Sequence, residues 1–209
     1  MQKPTAIEEF NAALWAHAPE FGVAIDDRMA TRMNSYYSLV MKWNARLHLV
    51  APCSPEEFAT RHVLESLLLI RHLPPDACVT DIGPGAGLPS IPCLLARADI
   101  RATLIDSSQQ KSVFLKEALR ELELADRAEV IAARFQDIPA PPADVVTCRA
   151  LERFENALTS LIAWAPGATM LLFFGGHRLL AQLQSLLPRV EAELIPTSER
   201  RFLIMASSK

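Results

Sequence analysis

The strongest constraint on the fold is an alternation of short apolar segments with longer amphipathic segments, which begins after Pro75. Such an alternation of strands and helices implies right-handed crossovers and a parallel sheet that helices cover on both faces. The last two strand candidates are joined by a short link and are expected to pair antiparallel. The predicted strands are Cys78–Ile82, Ala102–Ile105, Glu129–Ala132, Asp144–Thr147, Ala168–Phe174, Val190–Ile195 and Arg201–Ala206. The predicted helices are Leu88–Ala98, Gln109–Glu123, Phe154–Trp164 and His177–Leu187.

The first 75 residues instead show helical periodicity. Ser54 and Pro55 form a typical helix start, and Glu57 is placed for a capping box. We therefore predict a helical N-terminal extension over residues 1–75, packed on an α/β domain over residues 76–209. The predicted helices of the extension cover residues 5–17, 26–48 and 54–72.

Composition excludes several classes of protein. Half of the 209 residues are hydrophobic and the net charge is -3, so the chain can bury a full core. Apolar runs such as Leu67–Ile70 are too short to cross a bilayer, and the first 20 residues carry no secretion signal. The four cysteines lack metal-ligand spacing, and no segment is strongly basic. We expect a cytoplasmic monomer with no membrane segment and no metal ion.

A glycine-rich segment, residues 81–87, joins the first predicted strand to the first helix of the α/β domain. Glycine lets a ligand approach the backbone closely, and a helix start offers free N–H groups. The dinucleotide fingerprint G-x-G-x-x-G/A fails here, because its last position falls on Leu88. Asp81 would repel a pyrophosphate but suits the cationic amino-acid group of S-adenosylmethionine. This cofactor is therefore favoured over NAD, and the alternative is a tight turn without a ligand.

A second carboxylate, Asp106, ends the second predicted strand, nineteen residues after Gly87. This spacing is close to that of carboxylates that bind both hydroxyls of a cofactor ribose. The alternative is that Asp106 caps the helix that follows. The glycine loop beside it favours ribose binding.

Six blocks of sequence, in matching order and spacing, point to one family. They are Trp43-Asn44, residues 55–58, residues 61–67, residues 81–92, residues 106–115 and Arg149-Ala150-Leu151. Together they resemble the bacterial glucose-inhibited division protein B family, the guanine-N7 methyltransferases of small-subunit (16S) ribosomal RNA. The resemblance implies a class I methyltransferase fold with a seven-stranded, mostly parallel sheet. It also implies S-adenosylmethionine as the cofactor and the RNA or the small ribosomal subunit as the partner.

The expected cofactor site combines the glycine loop with positions that the resemblance implies. Phe135-Gln136 follow the third strand, where this fold usually places adenine, although Phe135 is equally consistent with a core role. Arg149, at the end of the fourth strand, is the catalytic candidate, because α/β ligand sites lie at the carboxyl ends of strands. Its alternative is a surface arginine. The full set is Asp81, Gly83, Gly85, Gly87, Leu88, Asp106, Ser107, Ser108, Phe135, Gln136 and Arg149.

Guanine N7 carries an in-plane lone pair, so the implied reaction needs no general base and depends mainly on alignment. Each basic residue alone is best explained as a solvated charge, and Arg61 could pair with Glu65 at i,i+4. As a set, these residues predict a basic rim for RNA. The expected RNA-binding residues are Arg46, Arg61, His62, Arg153, Arg200 and Arg201.

Several positions depart from the family pattern on the substrate side. Glu65 and Cys148 stand where an aspartate and a serine are usual, and Phe174 stands where a lysine is expected. The exact RNA target is therefore open. One alternative is a methyltransferase of the same fold that acts on another RNA site or on a small molecule. Another is a non-catalytic RNA-binding or assembly protein.

Overall fold

A seven-stranded sheet forms the centre of the protein, as seen in a computed structural model that describes residues 3–149, 157–165, 167 and 170–207. The strands are β1 Cys78–Ile82, β2 Arg101–Ile105, β3 Ala128–Ile131, β4 Val145–Cys148, β5 Met170–Gly176, β6 Arg189–Leu194 and β7 Arg201–Ser207. Their order in the sheet is β3-β2-β1-β4-β5-β7-β6. The five strands β1 to β5 are parallel, and β7 pairs antiparallel with both β5 and β6. The predicted fold class and the antiparallel final pair are confirmed.

The order of the strands reverses between β1 and β4. From β1 the chain moves outward through β2 to β3, and it then returns to place β4 on the other side of β1. In open α/β sheets, ligands bind in the crevice that such a reversal leaves at the carboxyl ends of the strands. The topology therefore places the candidate site above Ile82 and Cys148, the last residues of β1 and β4.

Helices cover both faces of the sheet. The helices are α1 Ala6–His17, α2 Asp27–Leu47, a composite segment α3 over residues 55–72, α4 Ser90–Ala96, α5 Gln109–Glu121, α6 Leu158–Trp164 and α7 His177–Leu186. Successive strand residues alternate between two hydrophobic clusters, as the pleat requires. Val145 and Leu172 pack with the side chains of α1 to α5, whereas Val146 and Phe173 pack with those of α6 and α7.

The N-terminal helices share their core with one face of the sheet. Phe58, fully buried in α3, lies against Phe10, Tyr36 and Tyr37, and the rings of Phe10 and Tyr37 stack with centroids 4.6 Å apart. The hydroxyl of Tyr36 donates a hydrogen bond of 2.9 Å to the Ala86 carbonyl in the glycine loop. The extension is therefore bonded directly to the loop that follows β1. The division into units at residue 75 stays a prediction.

The structure differs from the predicted elements in α3. The segment predicted as one helix contains a π-helical stretch, Phe58–Leu64, and ends in a 3-10 turn, Leu68–His72. The Ser54 hydroxyl accepts the Glu57 N–H as predicted, but the Glu57 carboxylate pairs with Arg61. A π-helical stretch widens the turn by one residue per bond, which changes where the following side chains project.

Other boundaries move by a few residues. Helix α4 begins at Ser90 and ends at Ala96, inside the predicted range, and β5 continues to Gly176. The predicted helix Phe154–Trp164 is observed as Leu158–Trp164, and residues 154–156 lie outside the described residues.

Replacement of Phe58 by alanine tests whether the extension and the sheet share one core. Phe58→Ala is expected to lower the free energy of unfolding by about 3–5 kcal/mol, because it leaves a cavity among three aromatic rings. Urea unfolding followed by circular dichroism measures this. The control is Val113→Ala at an exposed position of α5, expected within about 0.5 kcal/mol of the original protein. A loss below about 1 kcal/mol for Phe58→Ala would contradict the shared core.

Candidate functional site

A cavity of about 340 Å³ opens at the carboxyl ends of β1, β2 and β4. Gly83 borders it, with a left-handed φ of +68°, and its N–H donates to the Ile105 carbonyl at 2.8 Å. A Cβ built on Gly83 would meet no atom within 4 Å, so the open space begins at the backbone itself. The cavity is lined by Ile82, Gly83, Ile105, Ser107, Ala133, Arg134, Phe135, Gln136, Cys148, Ala157 and Leu161. These mostly apolar walls and one open glycine suit a flat aromatic ring.

The three glycines of the loop have different roles. All three have positive φ, a conformation that side chains rarely adopt. A Cβ on Gly87 would lie 2.7 Å from Cγ1 of Ile91, so this glycine allows the loop to pack on α4. Leu88 is buried in the hydrophobic cluster beneath the loop. Gly83 is thus the glycine that opens onto the cavity, while Gly87 and Leu88 support the loop from below.

Asp106 connects the two loops at the mouth of the cavity. Its carboxylate accepts the N–H of Gly85 at 3.1 Å and the N–H of Ser108 at 2.9 Å, and the residue is 6% exposed. The N-cap of α5 is Ser108, whose hydroxyl accepts the Lys111 N–H. The alternative that Asp106 caps this helix is therefore wrong in detail. Asp106 orders the loop before the helix, and Ser107 beside it lines the cavity.

Asp81 lies behind the glycine loop, with no exposed surface. One carboxylate oxygen accepts the hydroxyl of Ser90 at 2.7 Å and its N–H at 3.3 Å, while the other has no hydrogen-bond partner. Burial raises the pKa of Asp81 to about 8, against the opposing bonds from Ser90. One oxygen of this buried carboxylate has no partner, so a nearby cationic ligand would stabilise the ionised form of Asp81.

Phe135 and Gln136 both line the cavity, on the short turn after β3. Phe135 is 8% exposed and meets Trp164 edge to face, with ring centroids 5.4 Å apart. Gln136 is exposed. Sequence reasoning missed Cys148 and Leu161 as wall residues. Cys148 at the last position of a buried strand was a usable signal, because strand ends meet at this edge.

Arg149 follows β4 and is held by four groups. Its guanidinium donates to the backbone carbonyls of Arg61 and His62 and to the Glu65 carboxylate at 3.1 Å. The guanidinium carbon lies 5.8 Å from the ring centroid of Phe174. Burial lowers the pKa of Arg149 from its usual range. The alternative of a free surface arginine is wrong, because the side chain is only 15% exposed.

Glu65 is the centre of this arrangement, and sequence reasoning did not identify it. The side chain is 1% exposed and binds Arg201 through both carboxylate oxygens as well as Arg149. Arg61 pairs with Glu57, so the proposed Arg61–Glu65 pair is wrong. A glutamate within the apolar run from Val63 to Ile70 was the signal that could have revealed it.

His62 is kept neutral beside these arginines. Its ring packs against Phe58 with centroids 5.1 Å apart, and Nδ1 is buried without a partner. Burial, with the neighbouring charges of Arg149, Arg61 and Arg201, lowers the pKa of His62 to about 3. His62 therefore carries no charge near neutral pH.

The expected RNA-binding residues divide into two groups. The structure gathers Arg61, His62 and Arg201 with Arg149 around Glu65. Arg46, in the last turn of α2, and Arg200, in the link before β7, are exposed. Arg153 lies outside the described residues.

The described part of the chain shows no cluster of metal-ligating side chains and no membrane-spanning helix. Within it, no three or more His, Cys, Asp or Glu side chains group so that they could hold a metal ion. The described helices include none that is both long and apolar enough to span a membrane.

Comparison with known sequences gives one family. The model of the family described as rRNA small subunit methyltransferase G matches residues 29–196. The chain belongs to this family. The ribosomal RNA small subunit methyltransferase G of Neisseria meningitidis serogroup A is 32% identical over 175 residues, which cover 84% of this chain and 80% of that protein. The protein of the same name from Gluconobacter oxydans is 38% identical over 134 residues, 64% of this chain and 66% of that protein.

Solved structures similar to this member of the methyltransferase G family agree on the fold. A SAM-dependent methyltransferase from Aquifex aeolicus has a TM-score of 0.59 at 15% identity, covering 72% of this chain and 92% of that one. TYW2 of M. jannaschii, in complex with AdoMet, has a TM-score of 0.56 at 14% identity, covering 69% and 74%. Both support the class I methyltransferase fold.

Replacement of Asp81 by asparagine tests its protonation state in this family member. With an ordinary pKa near 4 when unfolded and about 8 when folded, Asp81 loses its proton first in the unfolded chain. Raising the pH from 5 to 8 should therefore destabilise the original protein relative to Asp81→Asn by roughly 1 kcal/mol per pH unit. Urea unfolding across this range measures the difference. Asp126→Asn, at an exposed position, is the control, and parallel pH profiles for Asp81→Asn and the original protein would contradict the prediction.

Proposed function

We propose that the protein transfers a methyl group from S-adenosylmethionine to N7 of a guanine in small-subunit (16S) ribosomal RNA. The observation that carries this proposal is the cavity at Gly83, close to two arginines, Arg149 after β4 and Arg201 at the start of β7, that share Glu65. Family membership supports the same reaction class. We infer further that the protein acts in the cytoplasm as a monomer and without a metal ion.

The residues present fit the cofactor. The apolar walls near Phe135 would hold adenine, with Gln136 at the rim. Asp106 keeps free lone pairs beside its two backbone bonds and would accept ribose hydroxyls. The open backbone at Gly83 would admit the ligand closely, and the unpartnered oxygen of Asp81 would favour a cationic amino-acid group nearby. Gly85, Gly87, Leu88, Ser107 and Ser108 complete the proposed set by shaping the two loops.

When bound, S-adenosylmethionine supplies a methyl group that the N7 lone pair of guanine takes as the carbon–sulfur bond breaks, and its electron pair stays on sulfur. N7 loses no proton, so the site needs no general base. The contribution of the protein is to align the reacting atoms and to exclude water, which is worth up to roughly 7–11 kcal/mol. Arg149 would orient the electron-rich O6/N7 edge of the base or the cofactor.

RNA binding is proposed for six basic residues of the chain. Arg46, Arg61 and Arg200 are exposed and would contact phosphates. Arg153 belongs to the same proposed set. Arg201 is bonded to Glu65, and Nδ1 of His62 is buried. Both residues would therefore act by supporting the residues that contact the RNA. A guanine within folded RNA would have to be unstacked to reach the cavity.

A second candidate function is methylation of another RNA site or a small molecule by the same fold. Phe174 supports it, because β5 carries an aromatic ring at the position where a lysine is expected. The proposed division into a helical extension, residues 1–75, and a cofactor domain, residues 76–209, applies to both candidates.

Replacement of Gly83 by alanine tests the cofactor site. Calorimetric titration should show S-adenosylmethionine binding to the original protein, no heat with NAD, and at least about tenfold weaker S-adenosylmethionine binding by Gly83→Ala. The new methyl group would occupy the open space at the cavity. The control is Gly22→Ala, whose φ of +64° imposes a similar backbone strain outside the glycine loop. Equal affinities for the two variants, or heat with NAD alone, would contradict the proposed site.

The substrate is tested by labelled methyl transfer to small ribosomal subunits from a strain that lacks the modification. Incorporation at guanine N7 supports the proposed function. Incorporation elsewhere, or none despite tight cofactor binding, favours the second candidate. The RNA affinity should also fall steeply with salt, because phosphate contacts release counterions.

A further inference from the structure

One carboxylate links three distant segments at the substrate edge of the sheet. Glu65, in α3, binds Arg149 after β4 at 3.1 Å and Arg201 at the start of β7 at 2.9 Å, with a second bond to Arg201 through its other oxygen. These partners are 84 and 136 residues away in sequence. The carboxylate is 1% exposed, whereas the side chains of Arg149 and Arg201 are 15% and 32% exposed, so both ion pairs are shielded from water on the carboxylate side.

Strand register explains why the two arginines meet. Cys148 pairs with Phe173 across β4 and β5, and Gly176 pairs with Arg201 across β5 and antiparallel β7. Arg149 and Arg201 therefore flank the end of β5 from opposite sides. Cys148, immediately before Arg149, lines the cavity. The arginine pair thus stands at the boundary of the proposed cofactor site.

The π-helical stretch of α3 completes the enclosure of Arg149. The carbonyls of Arg61 and His62 in this stretch accept from the guanidinium, while the Glu65 N–H bonds to the Thr60 carbonyl. Arg149 is therefore fixed by two backbone acceptors that cannot move independently and by one carboxylate that could be removed by mutation. Of these three acceptors, only Glu65 is a side chain.

The charges of Glu65, Arg149 and Arg201 indicate the role of this cluster. Two guanidinium groups that share one site repel each other, and one ionised carboxylate between them offsets this repulsion and leaves a net positive charge. A buried ion pair of this kind adds little stability compared with apolar residues of similar size. The more informative consequence of the ion pair is the fixed orientation of the Arg149 guanidinium. A small displacement of an aligned group can lower the reaction rate by a large factor.

We propose that Glu65 is a positioning residue for methyl transfer, which holds the Arg149 guanidinium in one orientation at the boundary of the cofactor cavity and balances Arg201 beside it. This inference rests on the proposed function. Glu65 itself acts through Arg149 and contacts neither substrate nor cofactor.

A double-mutant cycle tests the inference. Steady-state methyl transfer to unmodified small subunits is measured for the original protein, Glu65→Gln, Arg149→Gln and the double variant, with the cofactor Kd determined by calorimetry. Glu65→Gln should lower kcat by about 10- to 100-fold, while the cofactor Kd changes by less than about threefold. The double variant should be no slower than Arg149→Gln, because Glu65 has no further group to position. Glu65→Asp keeps the charge and should lie between the original protein and Glu65→Gln.

The matched control is Glu193→Gln. Glu193 accepts a bond from Arg71, so it also ties α3 to the C-terminal strands, but it does so through β6. Its variant should keep kcat within about twofold, whatever its effect on unfolding. This comparison separates the loss of a tie between the two segments from the loss of Arg149 orientation.

The outcomes are distinguishable. Losses in kcat that multiply in the double variant would overturn the positioning role, as would a Glu65→Gln variant with unchanged kcat. If Glu65→Gln does not fold, Glu65→Ala replaces it in the cycle, and a kcat of that variant within about twofold of the original protein overturns the inference. An original protein that binds cofactor but methylates no subunit would overturn the proposed function and this inference together, whereas an active original protein separates them.

Discussion

Polar groups at the carboxyl edge of the sheet must find partners where the strands end, and three buried carboxylates provide them. Asp106 binds two backbone N–H groups from neighbouring loops. Asp81 binds the first residue of α4, and Glu65 binds two arginines from two strands. Each carboxylate restricts a segment that would otherwise have more conformations available to it. The edge is therefore ordered by the protein itself, which reduces the entropy that a ligand must remove on binding.

The N-terminal extension is part of this edge. Tyr36 bonds to the Ala86 carbonyl in the glycine loop, and Arg32 donates to the Leu95 carbonyl near the end of α4 at 2.6 Å. Glu65 adds the contact with β4 and β7. The extension thus reaches both ends of α4 and the ends of two strands. Its side chains also share a core with the sheet, so the positions of the loops depend on how the extension packs.

The sequence allowed most of the fold to be predicted, because strand and helix periodicity is local. Cys78–Ile82 was predicted with its observed bounds, and the other strands shifted by one or two residues over their described parts. The start of α4 moved from Leu88 to Ser90, where the Asp81 carboxylate takes the first N–H group. Pocket residues near the glycine loop were predictable from chain order. The partners of Glu65 were not predictable, because they come from strands whose neighbours are set by topology and not by local pattern.

The two halves of the site depend on different kinds of constraint. The proposed cofactor half includes Gly83, Gly85 and Gly87, whose positive φ values few other residues adopt. The proposed substrate half would use a positive charge at a fixed place, and side chains from several segments can supply it. Phe174 contributes no charge, yet its ring lies beneath Arg149, where a cation is favoured by the aromatic face. A positive charge can therefore be kept at this edge although residue 174 of β5 is not a cation, provided that Glu65 holds Arg149 in place.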